Sequence, residues 1–303
     1  MKIAQLAITS LVFILAGLAL FSGGSPWEYL AGADADPLYA AAAVCCAFIA
    51  ACFILGWITG DYSQTDRLWS VAPVIYAWYF AAMGWPDGRL VLMACLVTLW
   101  GARLTFNFAL KGGYTSEEDY RWIFLKGKIR NPVAWQAFNL TFIAGYQQIL
   151  IFLFTLPAYA VYRDGGRPIA WADLIAAALF IFLLALESIA DLQMWRFQEE
   201  KKRRKAAGEE LTGEYGNGFI SHGLFKYSRH PNYFAEVSIW WAFYLFVPAA
   251  TGMWLHWTVI GAVLLTALFQ GSIWFTEYIS AGKYPAYKEY QRTVSKFVPW
   301  FRS

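Results

Sequence analysis

Apolar runs of about 17 to 25 residues recur along this chain, each long enough to cross the hydrocarbon core of a bilayer as a helix. Eight can be marked, over residues 3–22, 37–58, 68–84, 89–110, 137–162, 169–197, 232–250 and 253–276. A spanning segment has to satisfy its backbone polar groups internally. The runs therefore predict an all-α fold: a polytopic integral membrane helical bundle with seven to eight transmembrane helices and no Rossmann domain. The third run is short, and "AATGMW" is all that joins the last two, so the count stands at seven or eight. Composition agrees, with 15% of 303 residues charged where soluble domains carry about 25%. The first run, "IAQLAITSLVFILAGLALFSGG", lacks an A-x-A cleavage site near Gly24 and is read as a retained span.

Several function classes are set aside by what the sequence contains. A net charge of +3 is too small to argue for nucleic acid. Cys45, Cys46, Cys52 and Cys95 lie inside apolar segments, where a thiol behaves as a small hydrophobe. His222, His230 and His256 are too scattered to form a metal site by themselves, and no metal is expected. No internal repeat points to a transporter, and a single membrane domain is expected over 1–303.

Charge sets an orientation, because Lys and Arg concentrate in cytoplasmic loops. With both termini inside, 19 of the 24 basic residues fall at Lys2, at Arg67, in the 111–130 and 201–229 loops and in the C-terminal tail. The opposite side receives Arg89, Arg163 and Arg167. A multi-pass protein facing the cytoplasm follows, in the inner membrane if the source is bacterial. The basic run Lys201–Lys205 reads first as an anchor to anionic lipid headgroups.

Ionisable groups at membrane depth are costly and mark functional sites by default. Glu187 and Asp191 lie four apart and so share a helix face, where two carboxylates repel unless a donor sits between them. In "YSRHPNYFAE" the proline suits the first turn of a helix, which places Asn232 and Glu236 on one face with Arg229 and His230 in the loop. Ordinary capping is the plain alternative for any one of these; four polar residues in one turn argue for a ligand. Gln64, Asp66 and Arg67 precede the third run, Arg103 ends the fourth, and Gln147 and Gln148 lie in the fifth. Asp66, Glu117, Glu118 and Asp119 are the carboxylates available to Arg103. These groups come from five segments on one membrane side, so one polar pocket opening to the cytoplasm is expected.

"GLFKYSRHPNYFAE", an apolar span and then "KYPAYKEYQRTVSKFVPWF" resemble the C-terminal half of membrane steroid 5-alpha-reductases, including the bacterial branch with the DUF1295-type domain. Intramembrane sterol reductases look similar, and isoprenylcysteine carboxyl methyltransferases carry a similar "RHP-x-Y" turn. The resemblance is strong from Glu187 to Ser303, continues more weakly back to Tyr62, and makes 61–303 a reductase-like bundle behind N-terminal spans over 1–60. It implies an NADPH-dependent reductase acting on the double bond of an enone, such as a 3-oxo-4-ene steroid. Hydride would reach the beta carbon and negative charge would move onto the ketone oxygen, where a carboxylic acid kept protonated by an apolar site can donate.

By the resemblance, cofactor contacts fall on Asp191, Asn232 and Glu236, on Glu187 where the family has Asn, and on Arg103, Tyr227, Arg229 and His230. The family's late Arg and His are not clearly matched; Ser272, Glu277, Tyr284 and Tyr287 occupy that region. The catalytic glutamate falls on Asp66, seven residues before Pro73, with Thr65 in place of the preceding Gln and Gln64 beside it. The catalytic tyrosine falls on Trp100, whose indole cannot give a proton as a phenol does, so Tyr62 or Tyr76 enters as a donor. Arg229, Lys226, Lys283 and Arg292 are the set for the cofactor's phosphates. The expected partners are a steroid or other hydrophobic enone and membrane lipids, with the chain a monomer. An S-adenosylmethionine-dependent methyltransferase and a non-enzymatic sterol- or lipid-binding protein are the rival readings.

Overall fold

In the computed structural model, which describes residues 36–114 and 118–300, helices begin where side chains can take up the first free amides. Asp36 Oδ1 accepts from Leu38 N at 2.9 Å ahead of α1 (Pro37–Thr59). Asp87 accepts from the amides of Arg89 and Leu90 ahead of α4 (Gly88–Leu110), and Asn131 from those of Val133 and Ala134 ahead of α6 (Pro132–Thr155). Proline occupies the first turn of α1 and α6, where its missing N–H costs nothing. Gly60, at φ 70°, ends α1 in the left-handed conformation that glycine adopts freely.

Between these lie α2 (Gln64–Leu68), α3 (Ala72–Met83) and α5 (Tyr120–Lys128). There follow α7 (Pro157–Asp164), α8 (Trp171–Ala206), α9 (Gly213–Asn217), α10 (Pro231–Tyr244), α11 (Phe246–Thr251), α12 (Val259–Lys283) and α13 (Tyr287–Thr293). Among the described residues there is no strand, only an isolated bridge between Ser228 and Ser295. Six helices there are long and apolar enough to cross a membrane: α1, α4, α6, α8, Pro231–Thr251 and α12. The chain is thus a polytopic helical membrane protein. The expected span over 68–84 forms the shorter α3, because Trp69 to Val71 turn before Ala72. The expected span over 3–22 lies outside the described residues. Bare apolar side chains such as Trp57, Ile58, Phe182 and Trp274 suit a lipid-facing surface far better than a watery one.

Helix α6 carries a π-helical segment over Asn139–Tyr146. Gly145 permits it: a Cβ there would stand 2.6 Å from the Leu140 carbonyl oxygen, five residues back. Such wide turns recur at functional sites.

The chain divides into two compact units. The first holds the described residues up to Asp173 together with Phe246–Gly261. Here α3 and α4 cross closely at Gly101, where a Cβ would meet the Ser70 carbonyl oxygen at 2.5 Å, and Gly261 likewise admits the backbone of Leu153. Arg89 and Asp173, nearly without exposure, pair at 2.6 Å, and Arg89 also donates to the carbonyls of Arg167 and Pro168. The second unit runs Leu174–Leu245 and Ala262–Ser303. Its core includes Phe180 against Phe243, Phe197 stacked on Tyr215, and Phe219 among Tyr284, Tyr287 and Tyr290.

Candidate functional site

Asp61 to Leu68 is a polar segment packed under α5, in the first unit. Asp66 Oδ2 accepts from the indole Nε1 of Trp122 at 2.8 Å, and Oδ1 lies 3.5 Å from Arg121 Nη2. Arg121 is held in turn by Asp119 at 2.8 Å. Burial pushes the Asp66 carboxyl up to about 6; Arg121 opposes that, Asp119 adds to it, and the Trp122 indole opposes it. The protonated form of Asp66 is therefore favoured relative to a carboxyl in water.

Tyr62 sits beside it in a wall made with Trp122, Trp135 and Ile143. Its hydroxyl oxygen accepts from Gln136 Nε2 at 2.9 Å, which leaves the phenolic proton to donate. Asn139, the first residue of the π segment, donates to Gln136 in turn. Lys126 lies 4.8 Å from the centre of the Tyr62 ring. Glu118, raised by its burial, accepts from the Tyr62 amide at 3.0 Å. Gln64 is buried and donates to the Asp61 carbonyl. Tyr62, Gln64 and Asp66 thus share one short segment. Trp100 is fully buried on α4 and Arg103 half-buried one turn on. Asp66 and Asp119 engage Arg121, Glu118 engages Tyr62, and Glu117 lies outside the described residues.

In the second unit, α10 begins at Pro231 as the motif requires. Asn232 Nδ2 donates to Asp191 Oδ1 at 3.3 Å, joining α10 to α8. Asp191 is buried, so it is not reaching for the surface. Glu187, one turn earlier on α8, is buried too, and Glu236 accepts from Trp240 Nε1 at 3.2 Å. Asp191, Asn232 and Glu236 offer carboxylate acceptors and an amide that both gives and takes hydrogen bonds, a set suited to ribose hydroxyls or a carboxamide.

Arg229 and His230, expected to meet the cofactor, both meet Glu277 on α12. Arg229 Nε donates to Glu277 Oε1 at 2.6 Å and Nη2 to Oε2 at 3.2 Å, while Nη1 donates to the carbonyls of Gln291 and Val294. His230 Nε2 and Gln291 Nε2 also meet Glu277. The guanidinium therefore fastens the tail to α12, and its fork is largely committed before any phosphate arrives. His230 does not cap its helix with its side chain. Tyr227 is partly exposed and packs on Trp300. Ser272 is half-buried on α12.

Tyr284 lies between Lys201, whose Nζ is 5.1 Å from its ring centre, and Lys283, at 5.4 Å. Against burial, which raises it, the two lysines hold its hydroxyl below the usual phenol range. Tyr287 is buried edge-on to Phe219, and burial raises its hydroxyl. Lys226 and Arg292 are exposed, Arg292 lying 3.6 Å from Glu289. Of the polar residues singled out, Tyr62, Gln64 and Asp66 belong to the first unit, and Glu187, Asp191, Arg229, Asn232, Glu236, Glu277 and Tyr284 to the second.

Neither Arg121 and Trp122, in the 111–130 loop, nor Gln136, on α6, stood out in the sequence. The signal was available in "EEDYRWIF", where a tryptophan follows an arginine inside a charged loop. Among the described residues, no group of three His, Cys, Asp or Glu side chains is gathered as a metal would need.

A family model described as "Protein of unknown function (DUF1295)" matches residues 52–294. An uncharacterized protein of Schizosaccharomyces pombe, C594.04c, is 38% identical over 267 residues, covering 82% of this chain and 77% of its own length. No solved structure matches the chain.

Proposed function

The chain belongs to the DUF1295 family, and from that premise we propose that this helical membrane protein is an NADPH-dependent reductase of the carbon–carbon double bond of an enone. The preferred substrate is the delta-4 bond of a 3-oxo-4-ene steroid or another hydrophobic enone. The observation that carries the reading is Asp66: a half-buried acid, held by the Trp122 indole and by Arg121, with its carboxyl pushed up to about 6. An acid tuned toward neutrality beside an aromatic wall is what a reaction that builds negative charge on a ketone oxygen requires.

NADPH, when bound, supplies the hydride. Asp191, Asn232 and Glu236 suit its ribose and carboxamide groups, with Lys226, Lys283 and Arg292 left for phosphate once Arg229 is committed to Glu277. In its protonated state Asp66 donates toward the developing charge, Trp122 and Arg121 fix where it points, and the wall around Tyr62 excludes water from it. The cofactor residues and both termini face the cytoplasm in this proposal, in the inner membrane for a bacterial source.

Membranes containing the protein, given NADPH and a panel of 3-oxo-4-ene steroids, should return the saturated ketones by mass spectrometry. Turnover of no enone in the panel sinks the proposal. Binding of S-adenosylmethionine by the purified protein, without any NADPH response, moves it to the methyltransferases.

A further inference from the structure

Helix α5 has two faces of different character. Trp122, Leu125 and, just past its end, Ile129 recur at helical spacing and turn into the wall with Tyr62, Trp135 and Ile143. On the other side Ile123 is 55% exposed and Phe124 36%, with Gly127 and Lys128 exposed beside them. Only Ile129 to Asn131 separate α5 from α6, a helix long and apolar enough to cross a membrane. Val133, in the first turn of α6, is exposed as well. Helix α5 therefore stands where a span leaves the bilayer, with apolar side chains turned outward.

Charge adds a second observation. From 120 to 139 the sequence has four basic residues and no acidic one. Arg121 turns back to Asp119 and Asp66, and Lys126 lies over the Tyr62 ring, whereas Lys128 and Arg130 are exposed. The run Lys201–Lys205, expected from the sequence to grip headgroups, has acids of its own. Lys202 meets Glu199, Arg203 meets Glu200 and Glu209, and Arg204 meets Glu200. Lys201 Nζ donates to the Gly218 carbonyl. An exposed apolar edge bordered by cations, in a segment without acids, is the pattern of a helix that lies in a bilayer surface.

We propose that α5 lies in the bilayer surface, with Ile123 and Phe124 among the acyl chains and Lys128 and Arg130 on the headgroups of anionic phospholipids. Through Arg121 and Trp122 this seating regulates the acid at Asp66. The regulatory half rests on the enone-reductase reading, and the seating does not. A helix of nine residues is marginal in water by itself, so α5 depends on what supports its two faces. The Tyr62 wall supports one and lipid the other. Withdrawing the anionic lipid loosens the helix whose Arg121 and Trp122 hold Asp66.

The test reads the helix apart from the chemistry. Amide hydrogen exchange over 121–128 is followed by mass spectrometry in the full-length protein. One set of nanodiscs is phosphatidylcholine alone and the other is phosphatidylcholine and phosphatidylglycerol mixed 7:3. Exchange should be about tenfold slower with phosphatidylglycerol, and Lys128→Gln combined with Arg130→Gln should remove most of that difference. Ile123→Ser should speed exchange in both lipids. Both variants change exposed side chains only, so either one can carry the test if the other fails to fold. Enone turnover should rise severalfold with phosphatidylglycerol, and the double variant should lose that rise.

Equal exchange in the two lipids overturns the seating. Exchange that slows only when a disc holds two copies gives the face to a second copy of the chain and also overturns it. Loss of NADPH affinity in the double variant, with no lipid effect, assigns the two cations to the cofactor's phosphates instead. Lipid-dependent protection with turnover that ignores lipid overturns the link to Asp66. Lipid-dependent protection without turnover of any enone upholds the seating and discards the reductase.

Discussion

A single carboxyl governs how the proposed chemistry should respond to pH. Asp66 has its pKa raised, so its protonated form persists to about 6 and is lost above it. If that form is the donor, kcat for enone reduction falls as pH rises through about 6. Arg121 is a cation that holds the value down, so Arg121→Gln should move the falling limb to higher pH. A limb that stays in place, or moves to lower pH, separates the limb from Asp66. Asp66→Leu should abolish reduction while leaving NADPH affinity near the wild-type value. Glu236→Ala should do the reverse, weakening NADPH about tenfold by equilibrium fluorescence. Had Glu236 only packed against Trp240, stability would change and NADPH affinity would not.

Helix contacts carry predictions of another kind. Gly101 lets α3 and α4 approach until a Cβ would stand 2.5 Å from the Ser70 carbonyl oxygen and 2.7 Å from Val74 Cγ2. Gly101→Val should therefore lower the thermal midpoint in detergent by several degrees, about 1 to 3 kcal/mol of overpacking. Gly127→Ala, on α5 with nothing within 4 Å of the added carbon, should instead gain about 0.5 kcal/mol from helix propensity. The clamp on α12 makes the strongest claim. Glu277→Ala leaves Arg229 buried without its carboxylate, which costs about 3 to 5 kcal/mol in comparable buried pairs. Limited proteolysis should then release the segment after Gln291 first, because Arg229 ties the carbonyls of Gln291 and Val294. A tail as resistant as the wild type's would show the clamp to be dispensable.

The helix start at Pro231 was legible in the sequence, since it depends on residues adjacent in the chain. The role of Arg229 was not. Its partner Glu277 is 48 residues on, and an arginine in a polar loop reads equally as a phosphate ligand or a brace. The part played by Trp122 is hidden for the same reason: its hydrogen bond to Asp66 spans 56 residues.

For the whole molecule, the orientation proposed from charge makes a prediction. A fluorescent protein fused after Ser303 should fold and fluoresce in the cytoplasm, and a tag inserted at Gly166 should be reached only from the opposite side. Fluorescence lost at the terminus, with the tag accessible from the cytoplasm, would reverse the orientation.

Sequence by itself determined the membrane class, the helical content, the turn at Pro231 and the shared faces of Glu187 with Asp191 and Asn232 with Glu236. Hydropathy and helical period are properties of neighbouring residues and need no fold to express them. Tertiary structure decided which polar groups meet. It joined Asn232 to Asp191, spent Arg229 on Glu277, and set Trp122 and Arg121 on Asp66. Those pairings depend on how distant helices pack, and a pKa near 6 arises only once packing has removed the water around a carboxyl.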